Sequence, residues 1–247
     1  MHPILLKIGP FTLYSYGLMV AVGFAFAAAI IYIRAPKFGI DRNTMIDYII
    51  LLLVAGILGA RLLYVLLNFR YYVTNPVEIL NLSGGGLIWY GGFIIALAAS
   101  AWFARSRKVE FWNASDLVAP CIALGQAFGR IGCYLNGCCY GAPAPNWFPF
   151  GDRYPTQIFS SITLFVIFII LLLWQERRRF QGEIFLGYCL LYSFKRFLIE
   201  FLRGDNPKIF SGLTMSQLIS IAVFITALFI FMIRFNQWKR KKSSGSK

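Results

Sequence analysis

The chain has little charge and almost no histidine. Of its 247 residues, 14% are charged, ten are acidic and one, His2, is a histidine. Soluble domains carry about a quarter charged residues. This deficit, set beside 58% hydrophobic residues, excludes an ordinary soluble domain and indicates an all-α, polytopic membrane protein. The lone histidine sits at the second position, so no histidine-based zinc set can be assembled. The five cysteines are odd in number and contain no Cys-x-x-Cys pair, which argues against a disulfide framework. No metal and no cofactor is expected. A cleavable signal is not expected either, because residues 1–10 are short and broken by Pro3, Gly9 and Pro10. The first helix should therefore remain as an anchor.

What the chain does contain is long apolar runs. A helix needs about 20 apolar residues to cross the hydrocarbon core. Seven segments meet that length: 13–33, 44–67, 86–104, 114–135, 156–174, 184–202 and 213–233. A net charge of +14 is a feature of nucleic-acid binders, but the basic residues lie in short runs between the apolar segments, which argues against that partner. Fifteen of the 24 Lys and Arg fall in one alternate set of connections plus the tail, five in the other set, and four within spans. The positive-inside rule makes the richer set cytoplasmic. The N-terminus is then outside and the C-terminus in the cytoplasm. The expected organisation is a single membrane domain over 1–247, with outer loops at 68–85 and 136–155 and a basic cytoplasmic tail at 234–247.

Polar groups inside such a chain stand out, since a charge at the bilayer centre costs about 2.5 kcal/mol or more. The stretch 125–141 holds Arg130, Asn136, three cysteines and five glycines at the outer end of the fourth span. Gly125 and Gly129 there form a small-xxx-small pair of the kind that admits a close neighbouring helix. Arg196, Glu200 and Arg203, at i, i+4 and i+7, share one face of the sixth span. Glu200 can pair with either arginine and leave the other charge free. Two arginines, Arg130 and Arg196, in one outer-half zone point to an anionic ligand, since guanidinium binds phosphate or carboxylate in a planar, bidentate way. Arg61 and Lys195 are further intramembrane cations, for which a structural role is the competing account. Tyr16 and Tyr90 lie at outer span ends. Tyr90 sits in the glycine-rich run 83–92, whose backbone can be irregular or closely approached. Trp147, Phe148 and Phe150 suit an interfacial loop. Cys121 and Cys189 suit apolar packing. Cys133, Cys138 and Cys139 are structural thiols or a local disulfide.

The run Gly129-Arg130-Ile131-Gly132-Cys133-Tyr134-Leu135-Asn136-Gly137-Cys138-Cys139-Tyr140-Gly141 resembles the signature of the prolipoprotein diacylglyceryl transferases. Further stretches agree in order: Tyr16-Gly17-Leu18-Met19, the run ending Tyr90-Gly91-Gly92, Tyr154-Pro155-Thr156-Gln157, Arg196 through Glu200 to Arg203-Gly204-Asp205, and Met215-Ser216-Gln217. The resemblance implies a seven-helix enzyme of the bacterial cytoplasmic (inner) membrane with its active site toward the outer leaflet. Such an enzyme moves the diacylglyceryl group of phosphatidylglycerol to the lipobox cysteine of a preprolipoprotein signal peptide, releasing glycerol phosphate. It also implies catalytic roles for Arg130, Arg196 and Tyr16, and with no family histidine in place Tyr90 or Glu200 is expected to receive the substrate thiol's proton. Arg130, Asn136, Gly141, Arg61, Glu200 and Arg203 are the expected substrate-binding set. The chain departs from the family pattern at Tyr90, where many members carry a histidine, and at Cys133, Cys138 and Ser160.

Two other classes use the same residues. A transporter or binding protein for an anionic lipid would need the arginines without chemistry, and it should show an internal repeat or a midplane site. Neither is visible. A thiol-redox membrane enzyme would rest on the three signature cysteines, but the chain lacks a Cys-x-x-Cys motif.

Overall fold

The computed structural model describes all residues except 1, 2, 9, 10, 82–84, 146, 147, 150, 211 and 245–247. His2, Gly9, Pro10, Trp147 and Phe150, named above, and the first two residues of the run 83–92 thus lie outside the described residues. Short strands β1 (Ile4–Ile8) and β2 (Phe11–Tyr14) precede the helices α1 (Ser15–Arg34), α2 (Arg42–Leu67), α3 (Phe69–Thr74) and α4 (Trp89–Ser106). The helices α5 (Phe111–Asn136), α6 (Thr156–Gln175), α7 (Glu183–Glu200) and α8 (Met215–Ser244) follow, with the antiparallel strands β3 (Lys208–Phe210) and β4 (Leu213–Thr214) between the last two. A helix stands at each of the seven apolar segments.

Among the described residues, five helices are long and apolar enough to cross a membrane: α1 extended to Phe38, α2, α5, α6 and α8. α4 and α7, at 18 residues each, are not in that group. The reason for α7 is chemical, since it carries Glu183, Lys195, Arg196 and Glu200. α4 starts at Trp89, later than the sequence pattern predicts. Gly85 and Gly86 hold φ of +83° and +76°, left-handed values that cannot open a right-handed helix.

The chain divides into two compact units. One comprises Met1–Ile8, Leu13–Ile31 and Ser115–Lys247; the other comprises Gly9–Thr12 and Tyr32–Ala114. In the first, Ala119, Ala123 and Ala127 form a small-residue stripe on α5. They pack with Leu164, Ile167 and Leu171 of α6 and with Ile184 and Tyr188 of α7. Lipid is as apolar as leucine, so close packing between small residues, and not burial from water, holds such helices together. The stripe supplies that closeness. α1 docks on α5 at Gly132, where an added Cβ would come within 3.1 Å of the Tyr16 ring. Gly23 of α1 is also closely approached, with an added Cβ lying 2.7 Å from Phe128 Cβ. Gly125 and Gly129 do not serve this purpose from their own side, because a Cβ there would meet nothing within 4 Å.

A buried carboxylate sets the register of α5 and α7. Asp116, fully buried in the first turns of α5, accepts hydrogen bonds from the backbone N–H of Gly182 (2.7 Å), Ile184 (2.9 Å) and Phe185 (2.9 Å). It thereby caps α7, whose first N–H groups have no partner within their own helix. Arg178 stands 3.4 Å away and offsets its charge. Arg130 lies fourteen residues beyond Asp116, and Arg196 fourteen beyond Gly182. At 1.5 Å per residue both arginines rise about 21 Å from the shared cap. They reach the same level for that reason.

In the second unit α2 crosses α4 through glycine. An added Cβ at Gly91 would lie 2.3 Å from the Gly59 carbonyl oxygen, and one at Gly92 would lie 2.7 Å from that of Gly56. The close backbone approach expected of the glycine-rich run occurs here.

Candidate active site

The end of α5 determines where the signature residues go. Asn136 is its last residue, and Gly137 follows with a left-handed φ of +73°. The N–H of Cys138 bonds the Cys133 carbonyl (3.1 Å), and the N–H of Gly137 bonds that of Tyr134 (3.2 Å). This pair of bonds is the Schellman closure, which brings the residue two past the cap against the one three before it. Here those two residues are Cys138 and Cys133. Cys139 then takes a φ of +64°, rare for a residue with a Cβ. Gln157 donates to the Cys138 carbonyl (2.7 Å) and Thr156 to the Cys139 carbonyl (3.1 Å), tying the turn to the start of α6. The three Sγ atoms lie within 4.8 Å of one another, and no disulfide joins them. The Cys133 thiol, hydrogen-bonded to Cys139, draws the Cys139 thiol down to about 5, helped by the Arg130 and Arg203 charges. Burial pushes the Cys138 thiol up.

Gly141 closes the same turn onto the end of α7. Its N–H bonds the Tyr154 carbonyl (3.1 Å), and Ala142 bonds that of Leu202 (2.8 Å). A Cβ at Gly141 would sit 2.5 Å from the Tyr154 oxygen and 2.8 Å from the Leu202 oxygen, so only glycine fits. Gly141 also bridges to Arg203. Its place in the signature is therefore one of backbone approach, which sets Arg203 beside the cysteine turn.

The cations are unevenly compensated. Buried Glu200 lies 3.0 Å from Arg196 and 3.9 Å from Arg203, so it touches both arginines where the spacing suggested a choice between them. Its other oxygen accepts from Asn206 (2.5 Å) and Thr214 (2.9 Å). Arg196 also donates to Ser216 (2.9 Å) at the start of α8. Arg203 forms a bidentate pair with Asp205 (2.8 and 2.5 Å), which holds the Asp205 carboxyl below the usual range. Arg130 is different. Half-buried on α5, it makes no hydrogen bond or ion pair with any described residue. Its charge acts on Tyr16, Cys139, Lys195 and Arg196, which places it among them. Lys195 is buried with its ammonium 5.5 Å from the Tyr192 ring centre. Three guanidinium groups, Arg130, Arg196 and Arg203, thus stand near the two carboxylates of Glu200 and Asp205, and only Arg196 and Arg203 are ion-paired with them.

This unit brings Tyr16, Arg130, Gly141, Arg196, Glu200 and Arg203 together, with Asn136 exposed at the helix end beside Cys138. Asn206, Thr214, Ser216 and Gln157 complete the network. The motifs Thr156-Gln157 and Met215-Ser216-Gln217 pointed at part of it. Asp116 could have been found only as a lone acid near the end of an apolar span.

Arg61 and Tyr90 belong to the second unit. Tyr90 is 68% exposed in the first turn of α4. Buried Arg61 gives all five of its N–H groups to carbonyls: Glu78 (2.5 Å), Ile79 (2.8 Å), Asn81 (2.8 Å), Gly85 (3.0 Å) and Gly86 (3.2 Å). It gathers the carbonyls of residues 78, 79, 81, 85 and 86 around itself. Lysine has three donors on a flexible stem, so Arg61→Lys keeps the charge but loses at least two of these bonds. The expected cost is about 2–4 kcal/mol. Faster proteolysis within residues 78–88 and a lower Tm in detergent would register it; an unchanged Tm would refute it.

The family model for prolipoprotein diacylglyceryl transferase matches residues 3–233 of the chain. A Clostridium tetani protein named phosphatidylglycerol–prolipoprotein diacylglyceryl transferase is 34% identical over 246 residues, covering 94% of this chain and 98% of its own. The second transferase of that name from Clostridium perfringens is 35% identical, covering 95% of each. An Enterococcus faecalis relative of the same name is 34% identical, covering 93% of this chain and 92% of its own.

Proposed function

The chain belongs to the prolipoprotein diacylglyceryl transferase family, and from that premise we propose how its residues carry out the reaction. It transfers the diacylglyceryl group of phosphatidylglycerol to a prolipoprotein. The acceptor is the lipobox cysteine thiol of the signal peptide, and the product is a thioether. Sulfur bonds to the glyceryl carbon, and the carbon–oxygen bond to phosphate breaks. The electron pair leaves on glycerol phosphate. The lipid phosphodiester carries one negative charge, and the departing monoester gains a second. A cation that meets this growing charge lowers the barrier, because its contact is stronger in the transition state than before it.

Arg130 is that cation. A half-buried guanidinium with no partner among the described residues is available to an anion from outside the protein, and this observation carries the reading. Arg196, held by Glu200 and Ser216, presents the second guanidinium. Glu200 acts by positioning: it holds Asn206, Thr214 and the two arginines around its carboxylate. Arg203 and Gly141 hold the signature turn against α7. Tyr16 and Asn136 border the phosphate from α1 and from the end of α5. Arg61, with its five N–H groups taken by carbonyls of its own unit, is proposed to act there as a structural residue.

The thiol proton needs a destination. The resemblance puts Tyr90 where many members have a histidine, and on that ground Tyr90 is the proposed relay. The departing phosphate monoester, with a second pKa of about 6, can be the final acceptor. Tyr90→Phe is expected to lower kcat by about 10²-fold, the lower range for a positioned proton-transfer group, with KM for lipid unchanged. Full activity in that variant would leave the phosphate as sole acceptor.

All seven long helices are proposed to span the cytoplasmic membrane of a bacterium, with the N-terminus outside, the C-terminal tail in the cytoplasm and the site toward the outer leaflet. The unequal distribution of Lys and Arg supports this orientation, and Lys195, Arg196 and Glu200 near the far end of α7 suit a helix lining a polar site. The deciding assay offers phosphatidylglycerol and a lipobox peptide to the protein in detergent. A thioether product with equimolar glycerol phosphate is expected; an intact peptide thiol after prolonged incubation would overturn the reading.

A further inference from the structure

We propose that Cys133, Cys138 and Cys139 form a three-sulfur site for a soft monovalent cation of the Cu(I) class. Their spacing in sequence matches no zinc pattern. The fold nevertheless gathers the sulfurs, and it does so with the backbone. The Schellman closure sets Cys138 against Cys133, and the left-handed φ of +64° turns Cys139 toward them. Gln157 and Thr156, both buried, hold the carbonyls of Cys138 and Cys139 in place. Holding a residue with a Cβ in that conformation is strained, and such strain clusters at functional sites.

The dimensions fit. With a metal–sulfur bond of about 2.3 Å, a trigonal set places its sulfurs about 4.0 Å apart. The three Sγ atoms already lie within 4.8 Å of one another and are partly open. Closing on an ion needs only side-chain adjustment. Donor chemistry then selects the ion. Among the described residues no imidazole or carboxylate joins the group, so hard cations have nothing to bind. Zinc prefers four nitrogen or sulfur ligands, and three thiolates alone suit Cu(I) better. Binding releases the remaining thiol protons to solvent and gives a complex of charge −2. That charge would sit beside Arg130, whose own charge already acts on Cys133 and Cys139. An occupied site would therefore compete with the lipid phosphate, a consequence that rests on the transferase reading where the binding itself does not.

The test uses the full-length protein, reduced and in detergent, titrated with Cu(I) against a competing chelator. One tightly held Cu(I) per chain is expected, with a sulfur-to-copper ultraviolet band and an X-ray absorption shell of three sulfurs. The triple Cys133→Ser, Cys138→Ser, Cys139→Ser variant, which retains Cys121 and Cys189, should lose that copper. Failure of the folded wild-type protein to hold Cu(I) would overturn the proposal, as would an oxygen- or nitrogen-dominated shell. So would equal retention by the variant. The absorption measurement on wild-type protein decides the ligands even where the variant folds badly. Transferase assays on the same samples should show at least 10-fold inhibition by Cu(I) in the wild type and none in the variant. Unchanged wild-type turnover at full occupancy would overturn the competition with phosphate, and a protein with no turnover at all would indict the transferase reading alone.

Discussion

Arg130→Ala is expected to lower transferase kcat by about 10³-fold, the upper end for losing one preorganised donor to developing charge. The fold should survive, because Arg130 makes no hydrogen bond or ion pair with the described residues that its removal would break. Thermal stability should even rise slightly, since the charge of Arg130 acts on Lys195 and Arg196 and like charges repel in a poorly screened setting. Arg130→Lys keeps the charge but loses the planar fork, so it should fall between wild type and alanine. The measurement is initial rate against lipid concentration, with the lipobox peptide saturating. A loss confined to KM would mean that Arg130 binds the ground-state phosphodiester and the transition state equally. Normal kcat in Arg130→Ala would transfer the phosphate role to Arg196.

That contrast with Arg196 matters for interpreting variants. Arg196 is held by Glu200 and Ser216, so its removal strands a buried carboxylate already serving Arg203, Asn206 and Thr214. Breaking a buried pair by deleting one partner is strongly destabilising, by about 3–5 kcal/mol. An inactive Arg196 variant therefore mixes catalysis with folding. Arg130 gives the cleaner measurement.

The helices were legible because a lipid-crossing segment must be long and apolar, and that pattern survives in any single sequence. The polar exceptions were legible for the same reason: Arg130, Arg196 and Glu200 are conspicuous only because their surroundings are greasy. Partnership was not legible. Helical spacing put Glu200 on one face with Arg196 and Arg203 but could not say that it serves both, because the Asn206 and Thr214 contacts come from beyond the helix. Arg61 looked like a ligand for the same lipid, and only the folded chain shows its five N–H groups occupied by carbonyls. The thiol cluster depends on two backbone conformations. Asn136-Gly137 hints at the first as a helix stop, whereas nothing in the residue type announces a left-handed Cys139.

Asp116 was the least legible and carries the second large prediction. Asp116→Ala removes the acceptor from the N–H groups of Gly182, Ile184 and Phe185. Ala in its place leaves buried donors unpaired, at about 1–3 kcal/mol each, so a loss of about 3–5 kcal/mol is expected even with partial relaxation. The consequence should reach the chemistry. Arg130 and Arg196 share a level because α5 and α7 are counted from this one carboxylate, and a helix that slides by one residue moves its side chains by about 1.5 Å along the axis and turns them by about 100°. A misplacement of that size at a charge-stabilising site can cost about 10²-fold. Asp116→Asn separates the effects, since its amide oxygen still accepts but the charge opposite Arg178 is gone. It should retain more stability than alanine and most of the activity. The comparison is Tm and kcat for both variants below their melting range. Full activity in folded Asp116→Ala would show that the Ala119, Ala123 and Ala127 stripe, and not the cap, fixes the register.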